Sequence, residues 1–132
     1  EQRVITPHPG EAGRLLDRPV TEIQADRRQA LTDLRGRYGG VAVLKGSGTL
    51  VSSPGAVPWL CTAGNPGMAA PGMGDVLTGI IAALLAQGLK LEDAAAVGVA
   101  AHAQAGDRAA CAGERGLMAS DLLEQLRPVI NP

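Results

Sequence analysis

The stretch Asn65-Pro66-Gly67-Met68-Ala69-Ala70-Pro71-Gly72-Met73-Gly74-Asp75-Val76-Leu77-Thr78-Gly79 changes character halfway along. Three glycines and two prolines fall within its first ten positions. That is too many breakers for a regular element, so residues 64–73 read as a loop. An apolar run then starts at Val76-Leu77 and recurs at Ile80-Ile81 and Leu84-Leu85. Pairs four residues apart line one face of a helix, whereas a strand would alternate every second residue. The helix is expected over 75–87, with Gly88 capping its C-terminus.

A glycine-rich loop that opens into a helix can hold an anion. The first amides of a helix have no internal partner, and its dipole places partial positive charge there. Gly72 and Gly74 would let a phosphate approach the backbone closely. Asp75 does not belong in a purely phosphate-holding site, because its carboxylate repels the ligand. Two readings stand. Asp75 is an N-cap or first-turn acid contributing ~1 kcal/mol, or it is a base taking a proton from a hydroxyl that attacks the phosphate.

Outward from this centre, Val41-Ala42-Val43-Leu44 is all apolar, as in a strand covered on both faces. Lys45-Gly46-Ser47-Gly48-Thr49 follows as a tight turn, and Leu50-Val51-Ser52 resumes strand character. The amides, the two hydroxyls and Lys45 of this turn could surround a nucleotide's phosphate and ribose. Its spacing is not that of a Walker A loop. Further upstream, Arg3-Val4-Ile5 reads as a strand end delivering Thr6-Pro7-His8-Pro9-Gly10-Glu11 to the sheet edge where α/β ligands bind. Pro9 suits the first position of a helix, and Glu11 its dipole. His8 is held between two prolines.

Taken together, Gly64-Asn65-Pro66-Gly67-Met68-Ala69 with Gly72-Met73-Gly74-Asp75-Val76-Leu77-Thr78-Gly79, Thr6 to Glu11, and Leu44-Lys45-Gly46-Ser47-Gly48-Thr49 resemble the ADP/ATP-dependent NAD(P)H-hydrate dehydratases. The resemblance covers roughly residues 4–127 and places three motifs in the family's order. It implies an α/β fold: a ribokinase-like layered sandwich, with a mainly parallel sheet flanked by helices. It also implies repair of hydrated NADH or NADPH, driven by ADP or ATP, by phosphorylation of the ring hydroxyl and elimination of phosphate. Carried over to this chain, Asp75 is catalytic and touches substrate, and His8 binds the hydrated nicotinamide. Lys45, Gly46, Ser47, Gly48 and Thr49 take the AMP portion of the nucleotide, Gly74 also binds the nucleotide, and Gly72, Met73 and Gly74 form the anion hole. Mg²⁺ bridging the nucleotide phosphates is expected chemically, although no ligand cluster is visible. Where many relatives have Thr or Ser followed by Gly, this chain has Ala70-Pro71. The change removes a hydroxyl and an amide, so the anion hole is expected to rely on amides from Gly72 onward. Another ribokinase-like small-molecule kinase, or an inactive nucleotide-binding fragment, stands as the alternative. Thr6 to Glu11 argues against the kinase.

The remaining segments read as scaffold. Thr21 is expected to cap a helix running to Tyr38, with Gln24 reaching back. Ile23, Ala30, Leu31 and Leu34 form its buried side, and Arg27, Arg28, Arg35 and Arg37 a solvated face. Ser53-Pro54-Gly55 turns the chain, and Val57 to Cys61 leads to the central loop. An Ala-rich helix is expected from Leu91 to about Ala112, with His102 as a hydrogen-bonded core residue and Asp107 at the surface or between helices. Ser120 is expected to cap a last helix, stopped by Pro128. Asn65 orients either the loop or a ligand.

Composition narrows the classes. A chain of 132 residues that is 45% hydrophobic is a globular, single-domain length. With no Phe, one Tyr, one Trp and a net charge of −1, it offers nucleic acid neither a stacking platform nor a basic footprint. Cys61 and Cys111 have no metal or redox spacing. A reducing, cytoplasmic compartment fits. There is no signal-peptide pattern, and the 75–87 helix is short of the ~20 apolar residues that span a bilayer. The chain opens without Met on a strand end, and its motifs match the C-terminal half of the resembling domain. It is therefore expected to be the C-terminal portion of one dehydratase domain. Half a sheet leaves an open edge that invites association, so the expected partner is a second copy or a complementing N-terminal half. Alone, the piece is expected to be poorly soluble or oligomeric, and inactive.

Overall fold

A computed structural model describes residues 3–52 and 57–131. The Ser53-Pro54-Gly55 turn and the first two residues lie outside the described residues. Strand β1 (Val4–Ile5) leads to α1 (Pro9–Leu16), α2 (Val20–Ala25) and α3 (Arg27–Tyr38). Strands β2 (Val41–Leu44), β3 (Thr49–Val51) and β4 (Trp59–Cys61) precede α4 (Met73–Ala86), α5 (Leu91–Ala109) and α6 (Ala119–Ile130). Short 3₁₀ turns occupy Pro66–Met68 and Ala110–Ala112.

The period-two geometry of β2 organises two layers of helices. All four of its residues are buried. Val41 and Val43 pack with Leu77 and Ile81 of α4 and Ala94, Val99 and Ala103 of α5. Ala42 and Leu44 point the other way, onto Ala12, Leu16, Ile23, Leu31 and Leu34 of α1, α2 and α3. Fully burying a side chain such as Leu34 or Leu44 stabilises the sandwich by about 1.5–3 kcal/mol. At the end of the ladder, buried Ser52 pairs with Ala42. Its Oγ accepts from the Ala42 amide, and its own amide donates to the Ala42 carbonyl, both at 2.8 Å.

The α/β class and helical layers are as expected, but the sheet, in the order β1-β2-β3-β4, is mixed rather than mainly parallel. Only β1 and β2 run parallel; β2–β3 and β3–β4 are antiparallel. The cause is the Lys45-to-Gly48 turn, too short for the crossover that a parallel neighbour needs. Among the described residues, no helix is long and apolar enough to cross a membrane.

Several local expectations are corrected. The helix expected from Thr21 to Tyr38 is two helices. Pro19, not Thr21, is the N-cap of α2, and Asp26 breaks the run by accepting from the Gln29 amide as the N-cap of α3. Arg27 is not on a solvated face. Its Nη2 donates to the carbonyls of Leu44, Lys45 and Gly48 at 3.2, 3.3 and 3.1 Å, clamping the β2–β3 turn. Met118, not Ser120, precedes α6, and its amide donates to the Asp121 carboxylate at 2.8 Å. Pro128 does not stop α6, because on its exposed face the carbonyl that loses a partner can bond water. Helix α4 starts at Met73, earlier than expected. It ends as Gly88 and Leu89 donate back to Leu85 and Leu84, with Gly88 one residue past the Gln87 cap.

Candidate active site

Because β1 and β2 are parallel, their carboxyl ends meet at one edge of the sheet. β1 delivers Thr6-Pro7-His8 there and β2 delivers Lys45, and the Lys45 amide donates to the Pro7 carbonyl at 2.9 Å. The N-terminus of α4 arrives at the same edge. Thr6 Oγ1 lies 3.3 Å from Thr78 Oγ1, and a Cβ placed on Gly74 would stand 2.8 Å from Lys45 Nζ. The three motifs, far apart in the chain, thus form one cluster.

His8 has a structural duty that its sequence position hid. Its Nδ1 caps α1, accepting from the amides of Gly10 at 3.0 Å and Glu11 at 3.2 Å. In neutral His8 the proton therefore sits on Nε2, which is 3.5 Å from Glu11 Oε1. Glu11 Oε2 accepts from the His8 amide at 2.7 Å and lies 3.6 Å from Lys45 Nζ. Burial pushes the Glu11 carboxyl up, but the His8 amide bond and the Lys45 and His8 charges outweigh it and hold the group below its ordinary value.

The Lys45 ammonium abuts the positive end of the α4 dipole, and the Glu11 carboxylate 3.6 Å away supplies negative charge beside it. Gly72 makes it possible by adopting φ +86, which turns the chain into the helix without a side-chain cap. The Met73 amide bonds back to the Ala70 carbonyl at 3.4 Å. Among the described residues, the amides of Gly72, Gly74 and Asp75 have no acceptor, so of the expected Gly72–Gly74 set only the Met73 amide is engaged, and Asp75 adds a further open donor. Asp75 is not the N-cap, because Gly72 holds that place. Its carboxylate is exposed and, among the described residues, without a hydrogen-bond or ion-pair partner. A dipole contribution is the only structural role left to it.

The nucleotide-turn residues differ in their roles. Lys45 reaches the cluster. Gly46 (φ +139) and Gly48 (φ +72) supply the turn, which the Arg27 guanidinium packs against. The Thr49 hydroxyl donates to the Gly46 carbonyl at 3.2 Å, while Ser47 is exposed at the tip. Asn65 braces the loop: Oδ1 accepts from the Gly67 amide at 3.1 Å and Nδ2 donates to Asp107 at 2.9 Å. Asp107 also accepts from the Gly64 amide at 3.0 Å. His102 Nε2 lies 2.9 Å from the Met73 carbonyl. Burial, aided by the Lys45 charge and opposed by that carbonyl, lowers the His102 pKa. Sequence reasoning gave Glu11 only a dipole role and no role to Thr78, although both lie in the motifs. The bracing by His102 and Asp107 left no local signal in an Ala-rich helix.

The family model described as NAD(P)H-hydrate dehydratase matches residues 1–128. The chain belongs to this family. It is 54% identical over 133 residues to a bifunctional NAD(P)H-hydrate repair enzyme of Coxiella burnetii, covering 100% of this chain and 27% of the relative. To the ADP-dependent (S)-NAD(P)H-hydrate dehydratase of Neisseria meningitidis serogroup B it is 46% identical, over 79% of this chain and 35% of the relative. A Bacillus subtilis ADP/ATP-dependent NAD(P)H-hydrate dehydratase co-crystallised with ATP/Mg²⁺ superposes with TM-score 0.91 at 30% identity. The match covers 98% of this chain and 47% of that one. A Thermotoga maritima ribokinase at TM-score 0.64 and 18% identity shares the fold. The chain thus spans about a quarter of the bifunctional relatives and about half of the solved dehydratases.

Proposed function

We propose that this chain carries the phosphoryl-transfer side of a dehydratase that returns hydrated NADH and NADPH to the reduced cofactor at the expense of ADP or ATP. The observation that carries the proposal is the Lys45 ammonium against Gly74 at the α4 N-terminus, on the sheet edge that also presents His8. A nucleotide phosphate between Lys45 and the open amides of Gly74 and Asp75 is attracted by both the ammonium, which Glu11 offsets, and the helix dipole. The Lys45-to-Thr49 turn takes the ribose and α-phosphate side, and His8 Nε2–H donates to the hydrated nicotinamide.

In this mechanism the Asp75 carboxylate takes the proton of the ring hydroxyl as its oxygen attacks the terminal phosphoryl group. The nucleotide leaves one phosphate shorter, and the Gly74 and Asp75 amides stabilise the charge of the transferring group. The ring phosphate ester then loses phosphate and a proton from the neighbouring carbon, restoring the double bond. Mg²⁺ would ride on the nucleotide. Among the described residues no group of three metal-ligating side chains occurs, and Glu11 is already engaged by Lys45 and the His8 amide. The ion needs only phosphates and one or two carboxylates, and it neutralises phosphate charge when bound.

The chain is proposed to be the C-terminal portion of one ribokinase-like domain, acting in the cytoplasm with a complementing N-terminal half or a second copy. Exposed Val57 ahead of β4, with exposed Trp59 and Leu60 on it, supports a covering partner. The test is recovery of nicotinamide absorbance from hydrated NADH and NADPH, with ADP and ATP in turn, using the full-length gene product. Nucleotide-dependent recovery is expected. Nucleotide binding without recovery would refute the dehydratase assignment.

A further inference from the structure

Two open amides of the anion site, those of Gly74 and Asp75, belong to peptides whose carbonyls are both held from behind. The Gly74 amide shares a peptide unit with the Met73 carbonyl, and the Asp75 amide shares one with the Gly74 carbonyl. No cis peptide occurs among the described residues, so in each unit the C=O and N–H point in opposite directions. His102 Nε2 meets the Met73 carbonyl at 2.9 Å. A carbonyl only accepts, so Nε2 carries the proton and donates. The Thr78 hydroxyl donates to the Gly74 carbonyl at 3.0 Å, which leaves Thr6 to donate its own hydroxyl proton to Thr78 Oγ1 across 3.3 Å.

We infer that His102 is a positioning residue for phosphoryl transfer: by clamping the Met73 carbonyl it aims the Gly74 amide at the phosphate, and Thr78 does the same for the Asp75 amide. The inference rests on the nucleotide reading above. A donor on the carbonyl polarises the whole peptide unit, so the opposing N–H becomes a stronger donor as well as a better-directed one. Helix α5 is suited to the task. The helix that carries His102 also carries Asp107, which holds Gly64 and Asn65. One rigid element therefore fixes both ends of the glycine loop. The Thr6–Thr78 contact extends the clamp to the strand that presents His8.

His102→Gln places an amide nitrogen close to the Nε2 position, while His102→Asn is too short to reach Met73. ADP and adenosine are titrated into the full-length wild type and both variants, with thermal stability and turnover measured alongside. ADP affinity in His102→Gln is expected within about threefold of wild type. In His102→Asn it should weaken roughly tenfold or more, the scale of one hydrogen bond to a charged group, with adenosine affinity and the KM for hydrated cofactor unchanged. Surface-exposed Thr78→Val should lose ADP affinity in the same sense. Equal ADP affinity in the Asn and Gln variants would overturn the inference. So would parallel loss of ADP and adenosine, which marks a merely structural histidine, or undiminished ADP affinity in Thr78→Val. Failure of wild type to bind ADP would instead overturn the nucleotide reading, and the inference with it.

Discussion

Gly74→Ala should separate stability from nucleotide binding in opposite directions. Gly74 is the second residue of α4, and its φ is not in the positive range, so the backbone accepts an alanine. In a helix interior that exchange stabilises by about 0.8–1 kcal/mol, and part of it should appear in the first turn. The new Cβ, however, would stand 2.8 Å from Lys45 Nζ. Ordinary contact requires the ammonium to retreat by roughly 1 Å, which its flexible stem allows. At an effective dielectric near 20, moving an ammonium from about 3 to about 4 Å from a phosphate charge weakens their attraction by about 1.4 kcal/mol, or tenfold. The methyl group also narrows the approach to the Gly74 amide. Thermal denaturation without ligand should therefore show an unchanged or higher midpoint, while calorimetric titration shows ADP binding weakened tenfold or more. A variant that binds ADP within twofold of wild type, with its fold intact, would refute the placement of phosphate between Lys45 and α4.

Asp75→Asn should leave stability nearly unchanged, since Gly72 is the cap, and lower turnover by roughly 10²–10⁴ while ADP affinity holds or rises. Near-normal turnover in the absorbance assay would remove Asp75 as the base. Arg27→Met should lower unfolding free energy by about 1–3 kcal/mol, measured by urea denaturation, because the guanidinium serves three carbonyls of the β2–β3 turn. Its ADP affinity should fall as that turn loosens. Burial lowers the His102 pKa below 6.5 in the folded chain, so the unfolded chain takes up that proton at higher pH. Stability should be full above about pH 6.5, fall as pH drops through that value, and level off once the folded histidine also protonates. The fall should be shallower in His102→Gln, and equal slopes in the two proteins would exclude His102 as its source.

Much of the chain was legible because its signals are local. The four apolar residues of β2 require cover on both faces wherever they fold, and the spacing of Leu77, Ile80, Ile81 and Leu84 requires a helix against them. Glycines at 46, 48 and 72 announce turns because positive φ is a property of the single residue. The errors fell where local signals compete. Thr21 and Asp26 both read as caps, yet Thr21 lies inside α2 behind Pro19, while Asp26 breaks the run and caps α3, where Arg27 turns inward to the β2–β3 turn. A proline near a helix end reads as a stop, yet on the exposed face of α6 the lost bond can be made to water.

From its own order of residues the chain determined three motifs, the elements that carry them and the family they resemble. Each depends on neighbours within a few residues, where spacing and chirality act directly. Tertiary structure alone decided that Lys45 lies against Gly74, that Glu11 reaches Lys45, and that His102 and Asp107 hold the loop from behind. These contacts join residues 29 or more positions apart. Their geometry follows from the parallel register of β1 and β2 and the packing of α5 on α4, which no local pattern encodes.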